Sequence, residues 1–369
     1  MQYKWLVKLT EEEIIKRTIF LAKKGRGNVS PNPLVGAVIV KDNQIIGEGF
    51  HRAFGEKHAE VAAIRSARKD VSGASLYVNL EPCSHTGKQP PCVEAILRAG
   101  ISRVVIGMRD PNPLVNGRGI QQLQQNGVTV KVGILERECE ILNEAFIKYT
   151  ATGLPFQTIK IAQTLDGKIA VANGRPNWIT CEDSRRHVHK LRGDVDAVLV
   201  GIGTVLADDP QLNVRLFPGR HPKRIILDSN LRIPLRAHVL NDDLTAKTII
   251  VTTEKSPTSK RDEIESLGAQ VWQIESNTDG MIDLKKLTRR IGREGMNSVL
   301  IEGGSQIFSA YLEQNLIDKV LIFIAPKIFG SGLNAVNSPV KKNLSDKTTF
   351  QNVHYDQVGV DMLFTGYLN

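Results

Sequence analysis

Apolar positions along the chain recur with two periods that alternate, and the alternation predicts the elements. Ile14, Ile15, Thr18, Leu21 and Ala22 form a helical stripe, opened by a Thr10/Glu13 capping box and ended by Gly25. Residues 34–40 and 45–50 read as strands joined by a polar turn at Asp42-Asn43. A helix from Lys57 follows, then strand 74–80, helix 93–99 ended by Gly100, strand 103–107, helix 120–125, strand 128–132 and helix 136–149. Strands alternating with helices predict a three-layer α/β sandwich.

The alternation resumes after Thr152-Gly153-Leu154-Pro155, which predicts a boundary between domains 1–150 and 151–369. Strands are expected at 158–162, 197–201, 224–228, 248–251, 271–274 and 298–301, with helices at 181–191, 264–267, 284–291 and 305–313. Two further strand-like segments, 320–325 and 357–366, close the pattern. No internal repeat or low-complexity tract appears, so the second half is a second α/β domain. The length agrees, since 369 residues is about twice a single domain.

Composition narrows the function class. No run of 18 apolar residues exists and the first nine residues lack a signal-peptide core, so a soluble, cytoplasmic protein with no membrane partner is expected. Four scattered cysteines make no disulfide framework, which fits a reducing compartment and leaves Cys139 and Cys181 as ordinary core or pocket thiols. The net charge of +9 raises nucleic acid as a partner. Against it, the basic residues are spread along the chain and aromatic content is only 5%, which leaves few platforms for stacking bases. A phosphorylated metabolite with a phosphorylated cofactor accounts for the charge more economically. Oligomeric state is not legible, a homo-oligomer included.

The chemistry concentrates in His58-Ala59-Glu60, Pro82-Cys83 and Cys92. Catalytic zinc is usually held by three His or Cys ligands with water in the fourth position, and His-x-Glu followed by Pro-Cys and a second Cys is the general signature of base deaminases. Each residue alone has a plainer explanation: a structural histidine, two buried thiols, or a disulfide. A disulfide leaves His58 and Glu60 unexplained, whereas one Zn2+ on His58, Cys83 and Cys92 with Glu60 as proton carrier uses all four. Helix formers from Lys57 onwards put His58 and Glu60 in a first helical turn, where residues two apart can straddle a metal. Cys92 opens the helix at 93–99, a place that lowers a thiol pKa. A purely structural zinc site would need a fourth ligand, for which His85 is the candidate. In the second half, Gly201-Ile202-Gly203-Thr204 and Gly303-Gly304-Ser305-Gln306 follow strands. Such turns present N–H groups to phosphate, or are simply tight connections; neither is a G-x-G-x-x-G fingerprint.

The spacing between the cysteines departs from the general signature, with eight residues in PCSHTGKQPPC where two are usual. This resembles the deaminase half of the bifunctional riboflavin-biosynthesis deaminase-reductase. Ser30-Pro31-Asn32-Pro33-Leu34-Val35-Gly36, His51 and Arg109-Asp110-Pro111-Asn112-Pro113 are similar to that family's motifs as well. Lys88 and Gln89 stand where the family commonly has Arg and Thr; Lys keeps the charge and loses the bidentate fork. The reductase half is resembled by 161–168, by Trp178-Ile179-Thr180, by 201–210 and 224–229, by Glu302-Gly303-Gly304 and by Ala325-Pro326-Lys327.

The resemblance implies a cytidine-deaminase-like three-layer sandwich followed by a dihydrofolate-reductase-like α/β domain. It also implies zinc-dependent deamination of a small phosphorylated pyrimidine, then NADPH-dependent reduction of its ribosyl group to ribityl. Carried over by motif, Ala162, Trp178, Thr204, Asp208, Ser229, Gly304, Ser305, Gln306 and Ile307 would line the NADPH site. Arg192, Leu212, Arg215 and Glu302 would hold the reductase substrate, the two guanidiniums facing its phosphate. Asn32, His51 and Lys88 would hold the deaminase substrate. Asp166 and Arg185 read equally well as turn or surface residues. No 2'-phosphate pocket and no proton donor for the reduction are legible. A monofunctional reductase with a relic first domain is disfavoured by the intact ligand set, and an RNA deaminase by the charge distribution.

Overall fold

The computed structural model describes residues 9–84, 90–112, 115–171, 178–337 and 348–368. The chain forms two compact units, Met1–Gly153 and Leu154–Asn369.

The first unit runs α1 (Glu11–Ala22), β1 (Gly36–Lys41), β2 (Gln44–Phe50), α2 (Ala59–Ser66), β3 (Ser75–Leu80), α3 (Cys92–Arg98), β4 (Arg103–Met108), α4 (Arg118–Gln125), β5 (Thr129–Val132), α5 (Glu136–Leu142) and α6 (Glu144–Thr152). Its sheet has the order β2-β1-β3-β4-β5. The β1/β2 hairpin turns at Asp42 and Asn43, both with positive φ of 50° and 59°, the geometry of a two-residue hairpin. Alternation along the strands splits the core into two layers. Leu76, Val78, Val104 and Ile106 pack against Ala63, Ile96 and Leu123 of α2, α3 and α4. Val38, Tyr77 and Val105 pack against Ile14, Ile15 and Leu142 of α1 and α5. β1 is antiparallel to both β2 and β3, and β3, β4 and β5 are mutually parallel, so β2, β3 and β4 end on the same side of the sheet.

One helix expected over 136–149 is two, interrupted at Asn143. The buried Asn143 amide donates to the carbonyl of Leu34 (3.1 Å) and accepts its N–H (2.8 Å), pairing across 109 positions and pulling its backbone out of the helix.

The second unit contains β6 (Phe156–Thr164), β7 (Lys168–Val171), α7 (Glu182–Asp194), β8 (Ala197–Gly201), α8 (Ile202–Asp208), β9 (Lys223–Leu227), β10 (Thr248–Thr252), α9 (Thr258–Ser266), β11 (Gln270–Gln273), α10 (Leu284–Arg293), β12 (Ser298–Ile301), α11 (Ser305–Glu313), β13 (Lys319–Ala325), β14 (Gly332–Asn334), β15 (Gln351–Val358) and β16 (Asp361–Tyr367). Nine strands form one sheet in the order β11-β10-β9-β8-β12-β6-β13-β16-β15, while β7 and β14 pair separately. The seven strands from β11 to β13 are parallel to their neighbours, and β16 and β15 add an antiparallel edge. The chain steps outward from β8 to β11, then returns to insert β12 between β8 and β6. Crevices at such a reversal, beyond the carboxyl ends of parallel strands, are where open α/β sheets bind ligands.

Two expectations change here. The segment 357–366 is a hairpin, β15 turning into β16 at Gly359, because φ of +61° there reverses the chain. The turn at Gly201-Ile202-Gly203-Thr204 is the start of α8, so Gly203 lies within a helix. Among the described residues no helix is long and apolar enough to cross a membrane.

Candidate active sites

His58 is the N-cap of α2, with extended backbone (φ −69°, ψ 160°), and Glu60 lies in that helix's first turn. Cys83 leaves the end of β3, and Cys92 opens α3. All three therefore gather where β2, β3 and β4 end. His58 Nδ1 is 3.1 Å from Cys92 Sγ and 3.5 Å from Cys83 Sγ, and all three candidate ligand atoms lie within 4.8 Å of one another. Tetrahedral zinc at about 2.0 Å from nitrogen and about 2.3 Å from sulfur puts its ligand atoms roughly 3.5 to 3.8 Å apart, so the donor set fits this ion. All four cysteines are free, which removes the disulfide alternative.

Electrostatics favour a thiolate here. The hydrogen bond from Cys92 pulls the Cys83 thiol down to about 4, with His58 adding to it. That same contact, and then burial, hold Cys92 up. The backbone N–H of Cys92 also donates to Cys83 Sγ at 3.3 Å. Glu60 is 3% exposed, and desolvation pushes its carboxyl up to about 7. A cavity of about 240 Å³ opens beside these groups, lined among others by Asn32, His51, Phe54, Asp110, Asn112 and Phe146. The His51 ring donates from Nδ1 to the carbonyl of Lys57 (3.1 Å), which leaves Nε2 to accept from the Asn32 amide (3.1 Å). Burial keeps this imidazole neutral by lowering its pKa. Lys88 and His85 lie outside the described residues.

In the second unit the parallel strands bring their carboxyl ends together. Ser229 follows β9, Gly201 ends β8, Glu302, Gly303 and Gly304 follow β12, and Ala162 is near the end of β6. Gly303 must be glycine, because a Cβ there would stand 2.7 Å from the Cα of Val200 in β8. That contact lets the turn into α11 sit directly on the neighbouring strand. Gly304 has φ of +62°, Thr204 Oγ1 lies close beside it, and Ile307 packs over Gly201. Ser305, at the first position of α11, has a buried hydroxyl without a hydrogen-bond partner. A helix start with free N–H groups and an unsatisfied hydroxyl suits a phosphate-bearing cofactor. Ser229 Oγ accepts the N–H of Ile282 at 3.4 Å. Trp178 is 69% exposed, with the Arg185 guanidinium 4.8 Å from its ring centroid.

Comparison with known proteins decides the family. The model of the RibD C-terminal domain matches residues 155–364, more than half the chain, and that of the cytidine and deoxycytidylate deaminase zinc-binding region matches 9–108. The chain belongs to the RibD family. The riboflavin biosynthesis protein RibD of Aquifex aeolicus is 42% identical over 330 residues, 89% of this chain and 90% of that one. RibD of Escherichia coli is 38% identical over 368 residues, 96% and 98% of the two chains. The solved structure of Acinetobacter baumannii RibD has 38% identity and a TM-score of 0.86, covering 97% of this chain and 99% of that one. A diaminohydroxyphosphoribosylaminopyrimidine deaminase/5-amino-6-(5-phosphoribosylamino)uracil reductase from Thermotoga maritima has 41% identity and a TM-score of 0.85 over the same shares. The RibD fold, a deaminase domain followed by a reductase domain, is thus the fold of this chain.

Within this RibD-type second unit, Arg192 is not a free guanidinium. It forks onto the Glu302 carboxylate (Nε to Oε1 2.5 Å, Nη2 to Oε2 3.0 Å) and donates through Nη1 to the carbonyl of Asn213 (3.1 Å). Two of its five N–H groups remain. Arg215 is the exposed guanidinium, with Nη1 on the Asn213 side chain (3.1 Å). Leu212 is buried with φ of +51°, a rare backbone for leucine, between these contacts. Asp208 closes α8 and Gln306 is exposed in the first turn of α11. Asp166 fastens a turn, accepting from Thr164 Oγ1 and the N–H groups of Phe329 and Gly330.

Three residues escaped the sequence reading. Lys160 on β6 reaches Glu302 Oε2 at 3.0 Å, its side chain 13% exposed. Glu81 lines the first unit's cavity. His189, one turn before Arg192 on α7, accepts the N–H of Arg215 on Nδ1 at 3.2 Å and is therefore neutral. Burial, then Arg192 and Arg215, lower its pKa from the ordinary 6.5 to about 4. Between those values the unfolded chain binds a proton that the folded chain refuses. The contribution to stability is thus complete above pH 6.5 and is lost as pH falls towards 4. The thermal midpoint of the His189→Asn variant should fall less steeply over this window; curves parallel to the parent's would remove His189 as a cause.

Proposed function

We propose that the first unit hydrolytically deaminates 2,5-diamino-6-(5-phosphoribosylamino)pyrimidin-4-one. The second would then reduce the ribosyl group of 5-amino-6-(5-phosphoribosylamino)uracil to ribityl with NADPH. The observation that carries this reading is the convergence of His58, Cys83 and Cys92 beside the buried Glu60 carboxylate. The deaminase/reductase from Thermotoga maritima, 41% identical, supports it.

His58, Cys83 and Cys92 would hold zinc, which when bound lowers the pKa of water to about 7 and so supplies a nucleophile at neutral pH. Glu60 takes the proton from the attacking water and returns it to the departing amine as the carbon–nitrogen bond breaks. Asn32, with its amide oriented by the neutral His51, and Lys88 bind the pyrimidine and its phosphate. In the second unit, NADPH would be held by the turn from Gly304 to Ile307 with Ala162, Trp178, Thr204, Asp208 and Ser229, and supplies a hydride. Arg215 meets the substrate phosphate, while Arg192 fixes Glu302 at the reacting ribose. Lys160 is the ammonium beside that carboxylate and is suited to give a proton to the ribose oxygen as the ring opens.

Incubating purified protein with the diaminopyrimidine substrate tests both halves at once. Ammonia should appear with or without NADPH, and nicotinamide absorbance should fall only after ammonia has been released. Absorbance loss without ammonia, or neither signal from zinc-replete protein, would overturn the reading.

A further inference from the structure

Glu81 lies between β3 and Cys83, is 3% exposed, and takes four backbone N–H groups on one carboxylate. Oε2 accepts from Asp110 (3.3 Å) and Gly117 (3.0 Å), and Oε1 accepts from Gly119 (3.1 Å) and Ile120 (3.3 Å). Two of these donors belong to the first turn of α4, where the helix dipole favours negative charge. The fit is close: a Cβ on Gly119 would stand 2.2 Å from the carbonyl oxygen of Pro82, so the start of α4 rests on the peptide that leads to Cys83. The segment held this way carries two residues of the cavity, Asp110 and Asn112. These are tied to each other by the Asn112 N–H on Asp110 Oδ1 (2.8 Å), and the Asn112 carbonyl accepts from Val115 (2.8 Å) and Asn116 (2.9 Å).

We propose that Glu81 is a positioning residue for deamination, holding the Asp110 and Asn112 side of the cavity at the distance the pyrimidine requires. The inference rests on the cavity being the deaminase substrate site. Its four partners are main-chain groups 29 to 39 positions away, so this one carboxylate joins segments distant in the sequence. Gln at this position keeps the shape but turns a donor towards two of the four N–H groups. Leu removes every acceptor and leaves buried donors unpaired.

The test uses the full chain and the variants Glu81→Gln, Glu81→Leu and Gly119→Ala. Zinc should stay near one per chain, because His58, Cys83 and Cys92 are untouched, and reductase turnover should equal the parent's. KM for ammonia release should rise about tenfold in Glu81→Gln, and further in Glu81→Leu, with kcat within about threefold, as expected when orientation of the substrate is lost. Gly119→Ala should move KM the same way by pushing α4 off Pro82. If Glu81→Leu does not fold, Glu81→Gln and Gly119→Ala decide. An unchanged KM with zinc in place, loss of zinc, or a fall in kcat alone would each overturn the proposal. Absence of ammonia release by the parent protein would instead overturn the functional reading beneath it.

Discussion

Changing Glu60 to Gln should lower ammonia release by about 10²- to 10⁴-fold, the usual worth of a general acid–base group, while zinc content stays at the parent's level. The separation follows from the geometry. The three candidate ligand atoms come from His58, Cys83 and Cys92, and Glu60 is a neighbour of that cluster, not a member. Gln preserves volume in a site where the residue is 3% exposed, so neither a cavity nor a clash obscures the result. Reduction of the already deaminated uracil substrate should be unaffected. Loss of zinc from Glu60→Gln would recast the residue as part of the metal site, and retained ammonia release would eliminate it as the proton carrier.

The second large effect is on stability. Arg224, fully buried at the start of β9, satisfies all five N–H groups: Thr248 Oγ1 (2.9 Å), the carbonyls of Gln211 (3.1 Å) and Val239 (2.9 Å), and both oxygens of Asp242 (2.6 and 2.8 Å). Asp242→Ala leaves that cation without its counter-charge. Breaking a buried pair from one side costs about 3 to 5 kcal/mol, or about 10 °C in the thermal midpoint of a unit this size. The double variant Arg224→Met/Asp242→Leu should recover most of the loss, since well-packed apolar replacements of buried pairs are often neutral. Because the guanidinium also holds the carbonyl of Gln211, beside Leu212, reductase activity should decline before ammonia release does on heating. Equal midpoints for Asp242→Ala and the parent would show the pair to be dispensable.

The candidate metal cluster was readable because its chemistry is compressed into three short segments whose residue types have few other uses together. His58 and Glu60 lie at the start of one helix, and Cys83 and Cys92 are nine positions apart, so residue types within short segments carried the reading although the cysteine spacing departs from the general signature. The residues proposed for the reductase site come singly from β6, α7, α8, the end of β9 and the start of α11, and family resemblance was needed to gather them. Lys160 escaped because a lysine in an alternating strand reads as a solvent-facing position, whereas its partner Glu302 lies 142 residues on. His189 and Glu81 escaped because each acts on main-chain N–H groups, which no side-chain pattern records. The same reason hid the break at Asn143, whose partner is the backbone of Leu34. Regular elements were legible where a short apolar run or a helical stripe was bounded by polar or glycine positions, as in 197–201, 298–301 and 305–313, which agree with the buried strands β8 and β12 and with α11.

The late arrival of β12 in the second sheet has a bearing on synthesis. A growing polypeptide that has left the ribosome only as far as β11 lacks both neighbours of β6, β12 and β13, and one neighbour of β8, so three unpaired edges stand open at the middle of the unit. The first unit, finished at Gly153, has no such wait. Nonsense or frameshift products ending before Ser298 would keep these edges permanently, and open edges are templates for pairing with other chains. Such fragments should therefore collect as aggregates and not as a working deaminase trailing a harmless tail.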